Sequence, residues 1–167
     1  MNRILFVFVL ALLCSSYRSS AEEARAPRLA QLDVFWAEVS RSVGEGDFEA
    51  YQASCHPEGV LVSGSKKTSS PLSEALVRWK KEFIATKSGT MKASVKFRFS
   101  QRLGDETTAH ETGIFLYSSV GPDGKINQEY IHFEVLLVKK EGHWQTLMEY
   151  QKSKSTQNEW DVLSKGS

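Results

Sequence analysis

Side chains that could do chemistry are concentrated between Ala109 and Tyr150, where acids, histidines and tyrosines interrupt apolar runs. Three segments carry them: Ala109 to Gly113, Tyr130 to Glu134, and Trp144 to Tyr150. Alternation of polar and apolar residues is typical of β-strands, whose successive side chains point to opposite faces of the sheet. The direction of these polar side chains therefore decides whether they form a solvent-facing surface or an interior site.

Glu111 is the best candidate for a catalytic residue, in the role of general base. It shares a strand face with Ala109, Gly113 and Phe115, which are small or apolar and indicate the buried side of a sheet. A carboxyl group in such surroundings needs a hydrogen-bonding partner, and apolar pockets are where enzymes keep carboxylate bases. The alternative is a structural glutamate that bonds a neighbouring strand or the end of a helix.

A second polar stripe consists of Tyr130, His132 and Glu134, on the strand face opposite Ile131 and Phe133. Simple alternation turns the stripe outward, toward solvent or a second copy of the chain. A β-bulge would reverse the faces, and His132 with Glu134 would then form an acid–base pair inside the sheet. Both alternatives are open from the sequence.

The expected ligand-binding residues come from both helices and strands. Tyr150 is expected to point inward and Glu149 outward, because neighbours on a strand do not share a face. The aromatic residues of the helices are more often part of a core than of a cavity wall. The full predicted set is Trp36, Tyr51, Glu111, His132 and Tyr150.

Neither a metal nor a cofactor is expected. The four histidines lie on different predicted elements, without the spacing of metal ligands on one helix. A nucleophilic Cys55 paired with His56 is disfavoured, since adjacent residues rarely face one another. No glycine-rich phosphate-binding motif joins a strand to a helix.

The first 21 residues have the features of a secretory signal. Arg3 gives a positive start, Ile4 to Leu13 is apolar, and small residues precede an expected cleavage site before Glu22. Lipid attachment at Cys14 is the weaker alternative, because Leu13 stands where such a signal needs a small residue. The mature protein is expected to be secreted or periplasmic, without a stable membrane span.

Charge and cysteine content exclude several classes of protein. The full 167 residues carry a net charge of +1, and loss of Arg3 and Arg18 leaves 19 basic and 20 acidic residues. This balance argues against a nucleic-acid surface, which needs a basic excess. With Cys14 removed only Cys55 remains, so the 146 mature residues must fold without an internal disulfide.

Apolar periodicity predicts three helices and then mostly strands. The helices are expected over Arg28–Val43, from Asp47 through Cys55, and from Ser70 or Ser73 to a stop at Gly89. His56 to Gly59 is expected to be a turn, and Gly64 to Ser70 a loop. The expected strands are Val60–Val62, Met91–Leu103, Thr107–Ser118, Ile126–Lys139 and His143–Ser153.

This order of elements predicts an α+β fold. Four long antiparallel strands and one short strand form the sheet, and three N-terminal helices pack on it. Long strands twist, and such a sheet curls around whatever fills its hollow. Helices that fill the hollow only in part leave an open mouth, where we expect a pocket.

Four segments resemble a known family. Gly46–Tyr51 and His56–Val62 resemble the passage from helix to first strand in nuclear transport factor 2-like (NTF2-like) domains. Ala109–Phe115 resembles the Ala-x-Glu-x-Gly strand of one branch, the SnoaL-like and domain-of-unknown-function 4440 (DUF4440) proteins. Lys139–Trp144 resembles the final hairpin of that branch. The resemblance extends over residues 29 to 153.

The resemblance implies a cone-shaped, strongly bent sheet wrapped on three helices, with a pocket at the wide end and frequent homodimers. Relatives include isomerase-like and cyclase-like enzymes as well as proteins without chemistry, so the fold alone assigns no reaction. The isomerase combination of a carboxylate base, a tyrosine and a second acid finds no position-by-position match in this sequence.

We therefore expect an exported domain over residues 28–153, followed by a polar tail over 154–167, that binds a small, largely apolar molecule in the cone pocket. One alternative is an isomerase, dehydratase or cyclase in which Glu111 is the general base. Another is a homodimerisation module without ligand, which pairs through the sheet face that bears Tyr130 and His132. Whether the protein is an enzyme stays open.

Overall fold

Six strands form one sheet and four helices pack on it in the computed structural model, which describes residues 25–163. The expected signal segment 1–21 lies outside these residues. The helices are residues 25–45 (α1), Phe48–Ala53 (α2), Leu72–Lys87 (α3) and Gln157–Leu163 (α4). The strands are Cys55–Ser63 (β1), Thr68–Pro71 (β2), Lys92–Gly104 (β3), Thr108–Val120 (β4), Ile126–Lys140 (β5) and His143–Lys154 (β6).

The α+β class and the four long strands agree with the sequence, but the element count does not. The expected turn over His56–Gly59 is part of β1, and half of the expected loop forms β2. These two strands are joined by a turn in which Lys67 has a φ of 54°. Pro71 ends β2 at the edge of the sheet, where a residue without an N–H donor is tolerated. The tail adds α4.

The sheet is curled and does not close, with strand order β2-β1-β6-β5-β4-β3. All neighbouring strands are antiparallel except β1 and β6, which are parallel. The expectation of a purely antiparallel sheet is therefore wrong at this one pairing. β1 and β6, the first and last strands along the sequence, are therefore neighbours in the middle of the sheet.

Two apolar clusters pack against the inner face of the sheet. The first joins α1 to the middle strands and contains Leu32, Phe35, Trp36, Phe133 and Leu137, among others. The second joins α2 and α3 to β1 through the residues Phe48, Leu61, Leu72, Leu76 and Phe83. As the sequence predicts, Asp47 caps α2, and its side chain accepts a hydrogen bond from the Ala50 N–H at 3.2 Å.

The outer face of the sheet is partly covered by α4. Trp160 is buried against the Tyr130 ring, and the Arg98 guanidinium lies 4.1 Å from the centre of the indole. Arg98 also donates a hydrogen bond to the Trp160 carbonyl at 2.6 Å. Arg98, which alternation places on the polar face of β3, thus binds α4 on the outer face of the sheet. Within residues 25–163, none of the helices has both the length and the apolar character needed to cross a membrane.

We expect Trp160→Ala to release α4 from the sheet and to lower the free energy of unfolding by about 2 kcal/mol, since a buried aromatic side chain contributes about that much. Hydrogen exchange should show faster exchange over Gln157–Leu163, with little change in the strands. Val162→Ala is the matched control, because Val162 is 68% exposed on the same helix. Equal effects of the two substitutions would contradict the role of Trp160.

Candidate ligand-binding site

A cavity of about 690 Å³ lies between the two apolar clusters. Both clusters contribute to its wall: Trp36 and Val39 belong to the first, and Leu61 and Phe83 to the second. Its inner wall is aromatic and includes Trp36, Phe97, Phe115 and Phe133. Its rim is polar and includes the exposed residues Lys66, Arg78, Glu129 and Lys154.

A β-bulge in β6 decides which side chains of that strand face the cavity. Thr146 pairs with Leu137, but Met148 pairs with Leu136, so that Leu147 is an extra residue. Beyond this point Glu149 pairs with the buried Val135 and joins the inner face. The expectation that Tyr150 points inward is therefore wrong, since the bulge reverses the parity that simple alternation predicts. Glu149 lines the cavity and Tyr150 does not.

Glu149 has an unusual environment for a carboxyl group. Its one hydrogen-bond donor among the described residues is the Gln151 side-chain amide, at 2.7 Å from Oε1. No lysine, arginine or histidine of residues 25–163 forms an ion pair with it. Burial raises the pKa of the Glu149 carboxyl, and the Gln151 hydrogen bond offsets only part of that shift.

Tyr51 and Cys55 lie beside Glu149 in the cavity wall. Burial raises the pKa of the Tyr51 hydroxyl well above its usual value, and the Glu149 charge adds to the effect. The same two causes raise the pKa of the Cys55 thiol to about 12. Both groups therefore stay neutral near pH 7. The Tyr51 hydroxyl makes no hydrogen bond to another described residue and is available to a ligand.

Glu111 points into the cone, as the sequence predicts, but it is sealed away from the cavity. It is 0% exposed and is not among the residues of the cavity wall. Arg102 Nε donates to one carboxylate oxygen, and Trp36 Nε1 donates to the other at 2.5 Å. Arg102 is held in turn by Asp33, at 2.5 Å. This geometry fits the alternative in which Glu111 is a structural glutamate, because both of its carboxylate oxygens accept hydrogen bonds from the protein.

A second bulge makes this ion pair possible. Phe99 pairs with Gly113, and Gln101 pairs with Thr112, so that Ser100 is an extra residue in β3. Its hydroxyl lies 2.9 Å from the Thr112 hydroxyl. The extra residue turns Arg102 to the inner face, where it meets Glu111 directly across the strand pair.

Several solved structures share the fold of this chain. A ketosteroid isomerase-like protein from Erwinia carotovora atroseptica matches with a TM-score of 0.56 at 16% identity, over 78% of this chain and 98% of that one. An NTF-2 like protein from Shewanella oneidensis matches with a TM-score of 0.56 at 16% identity, over 73% and 96%. The chain has an NTF2-like fold.

A third similar structure is that of a complex. The protein, from Catenulispora acidiphila, is in complex with S-DNPA and matches with a TM-score of 0.57 at 19% identity, over 75% of this chain and 92% of that one. No protein-family profile and no curated protein matches the sequence. The resemblance to NTF2-like domains is thus confirmed as a fold, and the SnoaL-like and DUF4440 branch stays a prediction.

The stripe of Tyr130, His132 and Glu134 lies on the outer face of the sheet, so His132 is not placed to bind a ligand in the cavity. Pairing of β5 with β4 is continuous, and the bulges fall in β3 and β6 instead. His132 Nε2 lies 3.3 Å from a Glu159 carboxylate oxygen of α4. Glu134 binds Lys152 at 2.5 Å. Since α4 packs on Tyr130 and His132, it covers part of the expected dimer face.

Trp36 and Tyr51 both lie in the cavity wall, and their role in binding stays a prediction. The residue that sequence reasoning placed on the wrong face is Glu149. A signal for the bulge exists in the sequence, because Leu147 and Met148 are adjacent apolar residues that break the alternation of the strand. Among residues 25–163, no group of three or more histidine, cysteine or acidic residues is arranged to hold a metal ion.

Proposed function

We propose that the protein binds a small, largely apolar molecule in the cavity, with the polar group of that molecule beside Glu149 and Tyr51. The observation that carries this proposal is a half-buried carboxyl group, with one oxygen free and a pKa raised by burial, in a wall that also contains aromatic side chains. A volume of about 690 Å³ suits a drug-sized molecule. The complex of the Catenulispora protein with S-DNPA supports the same use of the fold. Export of the mature chain is part of the proposal.

Two features of the wall would give affinity and orientation. Burial of apolar ligand surface against the rings supplies most of the binding free energy, and aromatic pairs add to it. A few fixed polar groups then determine which end of the ligand enters first, because an unpaired polar group in such a site is costly. Glu149 and Tyr51 are the polar groups in the position to do this.

Blocking the cavity should abolish binding of a neutral apolar probe. Ala93 lines the cavity, and the neighbouring Ser94 is exposed on the other face of β3. We expect Ala93→Phe to weaken binding of the fluorophore N-phenyl-1-naphthylamine about tenfold or more, a difference of about 1.4 kcal/mol. Ser94→Phe should leave binding unchanged. Fluorescence titration measures both, and the absence of saturable binding to the unmodified protein would overturn the proposed function.

A second candidate function is proton transfer, with Glu149 in the place that the sequence assigned to Glu111. The raised pKa of a carboxyl with one free oxygen, next to the Tyr51 hydroxyl, favours it. Glu149 would accept a proton next to a carbonyl group, and Tyr51 would donate a hydrogen bond to the developing oxyanion. Deuterium exchange into a bound ketone, followed by NMR and absent in Glu149→Gln, distinguishes this reaction from binding alone.

A further inference from the structure

We propose that the ligand of the cavity is a protonated amine, whose ammonium group pairs with the Glu149 carboxylate while its apolar part lies among the aromatic side chains. This inference rests on the proposed function and names the ligand class. The Glu149 carboxylate has no counterion among residues 25–163.

The distribution of charge around the cavity is the first argument. Six cationic or carboxylate residues line it: Glu149 together with Lys66, Arg78, Glu82, Glu129 and Lys154. Four of the other five are exposed at the rim, where solvent and salt screen them. The fifth, Glu82, accepts a hydrogen bond from the Tyr117 hydroxyl at 3.2 Å. Glu149 alone stands between buried strand neighbours, Leu61 and Val135.

The missing counterion is the second argument. Glu149 is half-buried, and removing a carboxylate from water is costly unless it is paired; a single hydrogen bond from Gln151 does not replace an ion pair. By contrast, Glu111 in the same cone has both Arg102 and the Trp36 indole N–H. An ammonium ligand would supply at Glu149 what Arg102 supplies at Glu111. An anionic ligand would add a second negative charge to the same site.

The aromatic wall is the third argument, because ring faces attract cations. Trp36, Phe97 and Phe133 contact one another, with ring centres 4.4 to 6.0 Å apart. Phe133 pairs with Gln151, two residues from Glu149 on the same inner face of β6. The carboxyl group therefore stands at the border of the aromatic wall. A cation beside Glu149 can contact both the carboxylate and the rings.

A matched pair of ligands tests the charge directly. 1-Naphthylmethylamine and 1-naphthalenemethanol share the ring system and differ in the cationic group. Each would compete with N-phenyl-1-naphthylamine for the unmodified protein, for Glu149→Gln and for Glu129→Gln. We expect the amine to bind at least about tenfold tighter than the alcohol. The preference should disappear in Glu149→Gln and persist in Glu129→Gln, since Glu129 is an exposed residue of the rim.

Failure of this inference is distinct from failure of the proposed function. Equal affinity for the amine and the alcohol, tighter binding of the alcohol, or failure of the amine to displace a bound probe would overturn the amine proposal and leave small-molecule binding intact. If the neutral probe does not bind to the unmodified protein at all, the proposed function fails and the amine proposal with it.

The pH dependence of amine binding gives a second readout, which needs no variant. Affinity should rise with pH as Glu149 loses its proton, and it should fall again only when the amine itself becomes neutral. The groups that face Glu149 are Tyr51, Cys55 and Gln151, and all are neutral over the acidic part of this range. If the affinity of the unmodified protein for the amine does not change with pH on the acidic side, the ion pair is contradicted. This result does not depend on whether Glu149→Gln folds.

Discussion

Replacement of Arg102 by methionine should lower the free energy of unfolding by about 3 to 5 kcal/mol, the range for a buried ion pair that loses one partner. Glu111 would keep only the Trp36 N–H, and its charge would remain buried without compensation. Methionine keeps an apolar side chain of similar length and removes the guanidinium, which lies 4.5 Å from the centre of the Phe99 ring. The loss therefore reports mainly on charge, and urea denaturation measures it.

Two further variants separate the ion pair from general disruption. Arg102→Met with Glu111→Gln should recover most of the stability, because the glutamine oxygen still accepts from Trp36 and no charge is left behind. Arg41→Met removes an arginine with more acidic partners, Glu38, Glu45 and Asp47, but on the surface. The loss of free energy of unfolding in Arg41→Met should be far smaller than in Arg102→Met. Similar losses for Arg102→Met and Arg41→Met would contradict the structural role of the buried pair.

Gly113→Ala should destabilise the protein by about 3 kcal/mol or more, at the upper end for overpacking. A Cβ atom at Gly113 would lie 2.0 Å from the Arg98 carbonyl oxygen and 2.9 Å from the Phe99 Cα, and both are backbone atoms. Strand β3 would have to move away at the point where the Ser100 bulge begins. Since that bulge places Arg102 opposite Glu111, the same movement would separate the ion pair.

Gly44→Ala is the control for a glycine-to-alanine change without a clash. Gly44 lies in α1, and the nearest atom to an added Cβ is the Ala93 carbonyl oxygen at 3.9 Å. We expect a gain in stability of about 0.5 to 1 kcal/mol, because alanine is the better helix former and restricts the unfolded chain. If Gly113→Ala is tolerated as well as Gly44→Ala, the close approach of β3 and β4 is not essential.

The cavity and the sealed ion pair depend on the same structural device. Each of β3 and β6 contains an extra residue, Ser100 and Leu147, after which the strand presents its other set of side chains to the inside. The bulge at Ser100 places Arg102 opposite Glu111, and the ion pair closes that end of the site. The bulge at Leu147 turns Glu149 toward the cavity and Tyr150 away from it. These two insertions thus determine that Arg102 and Glu149 lie on the inner face, while a further register shift at Lys152 follows near the end of β6.

The sequence by itself determined the main elements and the fold class. Periodicity predicted Met91–Leu103 and Ile126–Lys139 as strands, and the structure has Lys92–Gly104 and Ile126–Lys140. These features are local, because hydrophobic spacing follows the repeat of a strand or helix. The short segments Gln157–Leu163 and Thr68–Pro71 were missed, because neither has a repeat of its own: the first is held by packing on Tyr130, and the second by pairing with the neighbouring β1.

Only the tertiary structure decided which polar residues form a site. The inward position of Glu111 followed from its neighbours, but its partners Arg102 and Trp36 are 9 and 75 residues away in the chain. The inward position of Glu149 depends on how β6 is hydrogen-bonded to β5, a property of two strands together. Because side chains alternate every residue, one extra residue exchanges the two faces of a strand, and alternation alone does not reveal where that residue falls.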